Sequence, residues 1–199
     1  MLQNPYDPTA DRSVSGFDLT NIGSLSVDYQ LPFGRTKNLF LGSNWGDHIG
    51  NVALGGWAVN GIGSFSSGTP YSVTVTGDIA NTGNTEVQAD LVGNPNPAHR
   101  SANEWINPAA FAAPPRYSFG TFGRNALRSD GYRNLDLSVF KNFRLPGETS
   151  LQFRAEAFNA TNSVVFSAPS SVVGTTTFGT VGSTANPPRE LQFALKLAF

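Results

Sequence analysis

Apolar and polar residues alternate along several stretches of the chain, which is typical of β-strands with two unlike faces. Between residues 17 and 33 most odd positions are apolar and most even positions are polar. The same alternation returns at 133–145, at 151–158 and in the final run at 189–199. Two more runs alternate: 51–65, which is thinned by glycines, and 70–77, which is short. The pattern predicts an all-β fold with about six strands.

The runs at 133–145 and 151–158 both place their apolar residues at odd positions. If they pair as a hairpin with these residues on one side, the loop between them must contain an odd number of residues. We therefore predict a three-residue turn of Pro146, Gly147 and Glu148, with Gly147 at the position that requires a positive φ.

Two long segments rich in Asn, Pro, Gly, Ser and Thr, 78–131 and 163–188, are predicted as loops. Long and short connections alternate along the chain, as in outer-membrane barrels, where outer loops are long and periplasmic turns are short. The prediction is an antiparallel transmembrane β-barrel segment, about six strands of a larger barrel, with long outer loops. With Phe199 at the periplasmic end, 66–69 and 146–148 are the expected periplasmic turns.

The two faces of the predicted strands differ in charge. Four charged residues fall on the polar face and are expected to line a wet lumen: Asp136, Arg154, Glu156 and Lys196. The apolar face, expected to meet lipid, carries Arg133 at a strand start and Lys141 within a strand. A cation on a barrel wall costs about 2 to 4 kcal/mol at mid-bilayer and little at the interface. Because Lys141 lies near the short turn, its side chain is expected to reach the interface.

Composition narrows the class of protein. Only 14% of the residues are charged and 12% are aromatic, which disfavours both a helical bundle and a disordered chain. The net charge of -1 provides no basic patch, so no nucleic-acid partner is expected. There is no cysteine, and His48 and His99 are far apart, so neither a disulfide framework nor a metal site is expected.

The sequence contains none of the common catalytic or nucleotide-binding motifs. Asp47 and His48 would suit a base and its orienting partner, but no nucleophile accompanies them, and a solvated loop pair is the simpler interpretation. We expect no enzymatic activity and no cofactor. No run reaches the roughly 18 apolar residues of a transmembrane helix, and the N-terminal residues lack the regions of a signal peptide.

Several segments carry a resemblance to a known family, in the expected order over most of the chain. They are YQLPFG at 29–34, LGGWAVNGIGSFSSGTPYSVT at 54–74, NPAAFA at 107–112, FGRNALRSDGYRNLDLSVFKNFRL at 122–145, LQFRAEAFNATN at 151–162 and NPPRELQFALKLAF at 186–199. The chain resembles the C-terminal barrel portion of TonB-dependent outer-membrane receptors of the Oar-like type, whose larger members carry a carboxypeptidase-regulatory-like domain. It departs from them at AFNATN, where a second aromatic is common, and at Ser129-Asp130, where Gly-Pro is usual.

The resemblance implies active uptake across the outer membrane, energised by TonB acting on a plug. Residues 1–199 are expected to be the C-terminal part of the barrel domain of a longer precursor, without the plug and N-terminal domains. Such transporters close with about 22 strands, so this wall segment would not transport alone. Its expected partners are outer-membrane lipid, the remaining strands and plug of the parent chain, the barrel-assembly machinery, and TonB only through the missing plug.

The last strand carries a row of apolar residues that ends on an aromatic one: Leu191, Phe193, Leu195, Leu197 and Phe199. This row is similar to the C-terminal signal that the barrel-assembly machinery reads. Phe199 is therefore the residue that we expect to matter most for function.

Two other interpretations stay open. A soluble extracellular β-sandwich would bind carbohydrate with Trp45, Trp57 or Trp105. A small closed outer-membrane barrel of about eight strands would need two further strands within 78–131. In the favoured interpretation Trp45 and Trp105 are possible ligand contacts of outer loops, although such tryptophans more often anchor a loop. The sequence does not identify the transported ligand.

Overall fold

The computed structural model describes residues 3–4, 6–9, 11–32, 55–145 and 147–199. The chain forms two compact units, which we name after their content. The sheet unit consists of Gly23–Phe65, Arg133–Ser163 and Pro187–Phe199, and the loop unit consists of Met1–Ile22, Ser66–Tyr132 and Val164–Asn186. Within the described residues, no helix has the length and apolar character needed to cross a membrane.

The sheet unit is built on five long strands. They are β1 (Ile22–Gln30), β2 (Trp57–Ser66), β9 (Tyr132–Arg144), β10 (Ser150–Phe158) and β12 (Glu190–Ala198), numbered in chain order together with the short strands given below. Their spatial order is β1-β2-β9-β10-β12, so β1 and β12 are the outermost of the described strands in this sheet. The antiparallel all-β fold class is confirmed, and five of the alternating runs form strands close to the predicted positions.

The β9–β10 hairpin has the predicted register. Ser150 pairs with Arg144, and the Leu145 N–H donates to the Thr149 carbonyl oxygen at 3.0 Å, which leaves three residues in the turn. Gly147 has a φ of +78°, a conformation that glycine adopts without a steric cost. Pro146 lies outside the described residues. The three-residue turn predicted from parity and from the Pro-Gly-Glu sequence is therefore confirmed.

The connection at 66–69 was placed at the wrong end of the sheet. A Cβ on Gly131 would lie 3.0 Å from the Ser66 carbonyl oxygen, and a Cβ on Gly56 would lie 3.4 Å from the Asn142 carbonyl oxygen. β2 therefore ends where β9 begins, whereas the Gly147 turn follows the other end of β9. The prediction that both 66–69 and 146–148 are turns on one side is wrong, because 66–69 opens the long connection to β9.

The loop unit contains short strands and a core of its own. Its strands are β3 (Pro70–Tyr71), β4 (Thr74–Thr76), β5 (Glu86–Gln88), β6 (Asp90–Leu91), β7 (Phe111–Ala112), β8 (Leu127–Arg128) and β11 (Val172–Val173). They form the sheets β11-β4-β5, β3-β8 and β6-β7, and β11 pairs with β4 in parallel. A short 3-10 helix spans Pro108–Ala110.

Segments that are distant in sequence supply the core of this unit. Its buried apolar residues include Val73, which immediately precedes β4, together with Ile106, Phe111, Phe122 and Phe178. The ring of Phe111 packs edge-on against Phe122 and Phe178, with centroid distances of 5.1 and 5.9 Å. The segments predicted as two separate loops thus contribute to one hydrophobic core.

The strands of the loop unit correct two of the predictions. The alternating run at 70–77 forms β3 and β4 and does not join the five-stranded sheet. The short strands within 78–131 also lie outside that sheet, so they do not supply the two extra wall strands that the small closed barrel requires. The first part of the run at 51–65, residues 51–54, lies outside the described residues.

Candidate functional site

One face of the sheet unit is apolar across its strands. The β9–β10–β12 registers place three rows side by side, with Leu151 between Phe143 and Leu197, and Ala155 between Val139 and Phe193. Strand β2 contributes Trp57 to this face, because its ring meets Phe153 edge-on at 6.4 Å. Alternation in the sequence therefore becomes a continuous apolar surface.

Lys141 is a charged residue in the middle of this apolar face, and it is 2% exposed. Its Nζ lies 5.1 Å from the ring centres of both Trp57 and Phe143. Cation–π contacts of this kind stabilise a desolvated ammonium group. The side chain of Lys141 was expected to reach the membrane interface. In the structure its ammonium group instead lies against the rings of Trp57 and Phe143.

The opposite face collects the four predicted polar residues. Glu156 Oε1 lies 3.5 Å from Arg154 Nη1, and the Arg154 guanidinium lies 5.7 Å from the Phe140 ring centre. Lys196 pairs with Gln152 across β10 and β12, so it points to the same side. Asp136 Oδ1 accepts hydrogen bonds from Asn134 Nδ2 at 2.8 Å and from the Asn159 N–H at 2.9 Å. That this face lines a lumen remains a prediction.

Asn159 is a buried polar residue that the sequence analysis did not identify as important. It follows β10, has a φ of +47° and is 3% exposed. Its Nδ2 donates to the carbonyl oxygens of Ser163 and Pro187, and its Oδ1 accepts from the Ser163 N–H. Its position directly after a predicted strand could have indicated this role. Asparagine tolerates a positive φ, and its side chain forms hydrogen bonds with nearby backbone groups.

Strand β12 presents its apolar row to solvent. Leu191, Phe193, Leu195 and Leu197 are all exposed, and Phe199 is 100% exposed. β12 pairs with β10 alone among the described strands, so its other edge is open. An open edge with an apolar face is a surface that requires lipid or another strand. The assignment of this row as an assembly signal remains a prediction.

The tryptophans have different environments. Trp105 is 6% exposed, its ring centre lies 5.4 Å from that of Phe166, and the Arg100 guanidinium lies 5.1 Å from its ring centre. Trp105 thus anchors its segment in the core of the loop unit, and its ring is not presented at the surface for stacking. Trp45, Asp47 and His48 lie outside the described residues.

An ion pair holds the segment before β1 within the loop unit. Arg128 Nη2 lies 2.5 Å from Asp18 Oδ2, and Arg128 Nη1 donates to the carbonyl oxygen of Gly68 at 2.9 Å. The hydrogen bond from Arg128 is the main cause that lowers the pKa of Asp18, with a further contribution from Thr20. Elsewhere in this unit, burial raises the pKa of Tyr71 to about 12.

The chain matches the family model described as an outer membrane beta barrel domain over residues 1–192. It therefore belongs to this family, and its location is the outer membrane. This membership overturns the interpretation of the chain as a soluble extracellular sandwich. Comparison with curated proteins gives no match. Comparison with solved structures also gives none.

Proposed function

We propose that this chain is a wall segment of a TonB-dependent outer-membrane transporter of the Oar-like type, which does not transport alone. The observation that carries the proposal is the five-stranded antiparallel sheet, with an apolar face across its strands and with β1 and β12 each paired on one side only among the described strands. Such a wall is stable only when lipid covers the apolar face and further strands cover the edges.

The finer assignment to TonB-dependent receptors is supported by the motifs at 54–74, 122–145 and 151–162. In this proposal the parent protein contributes the remaining strands and a plug, and TonB acts on that plug. The barrel-assembly machinery recognises β12 and Phe199, and the wall itself carries out no chemical reaction. The lumen is lined by the polar face that contains Arg154, Glu156 and Lys196.

A retention experiment tests the TonB assignment. The native protein, extracted from outer membranes in detergent, is passed over immobilised periplasmic domain of TonB. We expect it to be retained, and we expect a version lacking its plug to pass through. An outer-membrane barrel without a plug serves as the negative control. Flow-through of the intact native protein, with retention of an established TonB-dependent receptor on the same column, would contradict the proposal.

A further inference from the structure

The loop unit contains a polar pocket of about 330 Å³ beside the edge of its three-stranded sheet. Strand β5 is at the edge of the order β11-β4-β5, and its residues Glu86, Val87 and Gln88 all line the pocket. The volume is at the lower end of the range for small-molecule sites, which is about 300 to 1,000 Å³. The pocket is thus large enough for a small ligand.

The outer edge of β5 offers backbone hydrogen-bonding groups at Glu86, whereas at Gln88 it is covered by Gln3 and Gly120. The Ala89 N–H donates to Val73 and the Thr85 carbonyl oxygen accepts from Gly77, so the odd-numbered residues of this segment bond to β4. Because the residues that bond to the partner alternate along an antiparallel strand, the backbone N–H and C=O groups of Glu86 and Gln88 point away from β4. Gln3 already occupies one of these positions, because its side-chain Oε1 accepts from the Gln88 N–H at 2.7 Å. A side-chain amide therefore stands where the carbonyl group of an added peptide would bind.

Two opposite charges line the same pocket without pairing with each other. Glu86 and Arg124 are both exposed, and within the described part of the chain neither takes part in an ion pair. The buried Oε1 of Gln88 accepts no hydrogen bond from any described residue. Arg124 thus offers a guanidinium for a carboxylate, and Glu86 offers a carboxylate for an ammonium group.

We propose that this pocket binds a short peptide with free termini. The peptide adds to the β5 edge at Glu86, its terminal carboxylate binds Arg124 and its terminal ammonium binds Glu86. This is strand addition, in which main-chain hydrogen bonds give affinity and flanking groups give specificity. The proposal concerns ligand binding by the loop unit and does not depend on coupling to TonB.

The test uses trialanine as the probe and the native protein in detergent, with binding measured by calorimetry. We expect saturable binding by the wild type, and a loss of about tenfold or more in affinity for Arg124→Gln and for Glu86→Gln, because each removes a charge-assisted contact. Arg116→Gln and Glu104→Gln are the matched controls. Both residues are exposed in the loop unit and neither lines the pocket, so affinity should be unchanged.

Modified probes check the assignment of each charge. Trialanine amide lacks the carboxylate and should bind Arg124→Gln and wild type equally, whereas N-acetyl-trialanine lacks the ammonium and should bind Glu86→Gln and wild type equally. Circular dichroism confirms that each variant is folded. Absence of trialanine binding to the folded wild type, or equal affinity in wild type and both pocket variants, would overturn the proposal. Either result would leave TonB retention of the native protein unaffected.

Discussion

Asp136 Oδ1 accepts a hydrogen bond from the Asn159 N–H at 2.9 Å, which ties the end of β10 to β9. Asn159 in turn donates through Nδ2 to the Pro187 carbonyl oxygen at 3.1 Å, just before β12. Asn159, which has a positive φ and directly follows β10, is thus hydrogen-bonded both to β9 and to the segment that leads into β12. Its side chain acts through hydrogen bonds, whereas its backbone conformation would suit glycine equally well.

The first prediction concerns this residue. Asn159→Gly keeps the positive φ but removes the side-chain hydrogen bonds to Ser163 and Pro187, which should lower the free energy of unfolding by about 2 to 4 kcal/mol. The measurement is a urea titration of the native protein in detergent. Asn81→Gly is the matched control, because Asn81 also has a positive φ of 56° and is exposed. Equal midpoints for the two variants would show that the hydrogen bonds of Asn159 contribute little.

The second prediction concerns topology. β2 ends beside the start of β9, so Thr69 and Gly147 follow opposite ends of the sheet strands. With the short hairpin turn in the periplasm, Thr69→Cys and Thr176→Cys in the native protein should react with an impermeant thiol reagent on whole cells, and Gly147→Cys should not. Labelling of Gly147→Cys together with protection of Thr69→Cys would invert the topology.

The third prediction concerns the Asp18–Arg128 ion pair. The folded-state pKa of Asp18 is lowered, so its contribution to stability is present above the unfolded pKa of about 3.8 and is lost as pH falls through the folded value. Asp18→Asn should therefore lower the melting temperature at about pH 7 and have a smaller effect at about pH 2.5. The effect should be small, because both side chains are about one-third exposed and the pair is partly screened by solvent. Asp7→Asn, another exposed carboxylate, serves as the comparison.

An unchanged melting temperature for Asp18→Asn at both pH values would show that the ion pair contributes no stability. A difference between wild type and variant that grows toward acid would contradict the sign of the pKa shift. Both outcomes are read from thermal scans of the same two proteins.

The wall strands were predictable because their register depends on local parity. Once the apolar residues of β9 and β10 share one face, the turn around Gly147 can only be odd in length. The same parity aligned Phe153 with Leu195 in the final strand. Alternation thus encodes which residues share a face.

Alternation does not encode which sheet a strand joins, and this explains the errors. The run at 70–77 alternates as a wall strand does, yet Thr74 pairs with Gln88 in β5 and with Val172 in β11. The core of the loop unit brings Val73 together with Phe178, so its contacts are long-range and leave no local periodicity. The role of Trp105 was equally ambiguous. Whether its indole packs in a core or is free to bind a ligand depends on burial by segments that are distant in sequence.

The last prediction concerns Phe199 and the strand before it. Phe199 is 100% exposed, so within this chain its deletion removes no packing contact. If the aromatic end is a recognition signal, deleting Phe199 should nevertheless reduce the amount of parent protein in the outer membrane severalfold, and Phe199→Tyr should restore it.

A glycine inserted after Phe193 tests register independently, because it moves Leu195 from its place opposite Phe153 to the polar face and Lys196 to the apolar face. A glycine inserted after the exposed Thr176 in the loop unit is the control for insertion itself. Quantitative immunoblots of fractionated cells measure all four variants against wild type. Wild-type levels for both the Phe199 deletion and the insertion after Phe193 would refute a role of this strand in assembly, because a strand recognised by its aromatic end and held in one register cannot tolerate both changes.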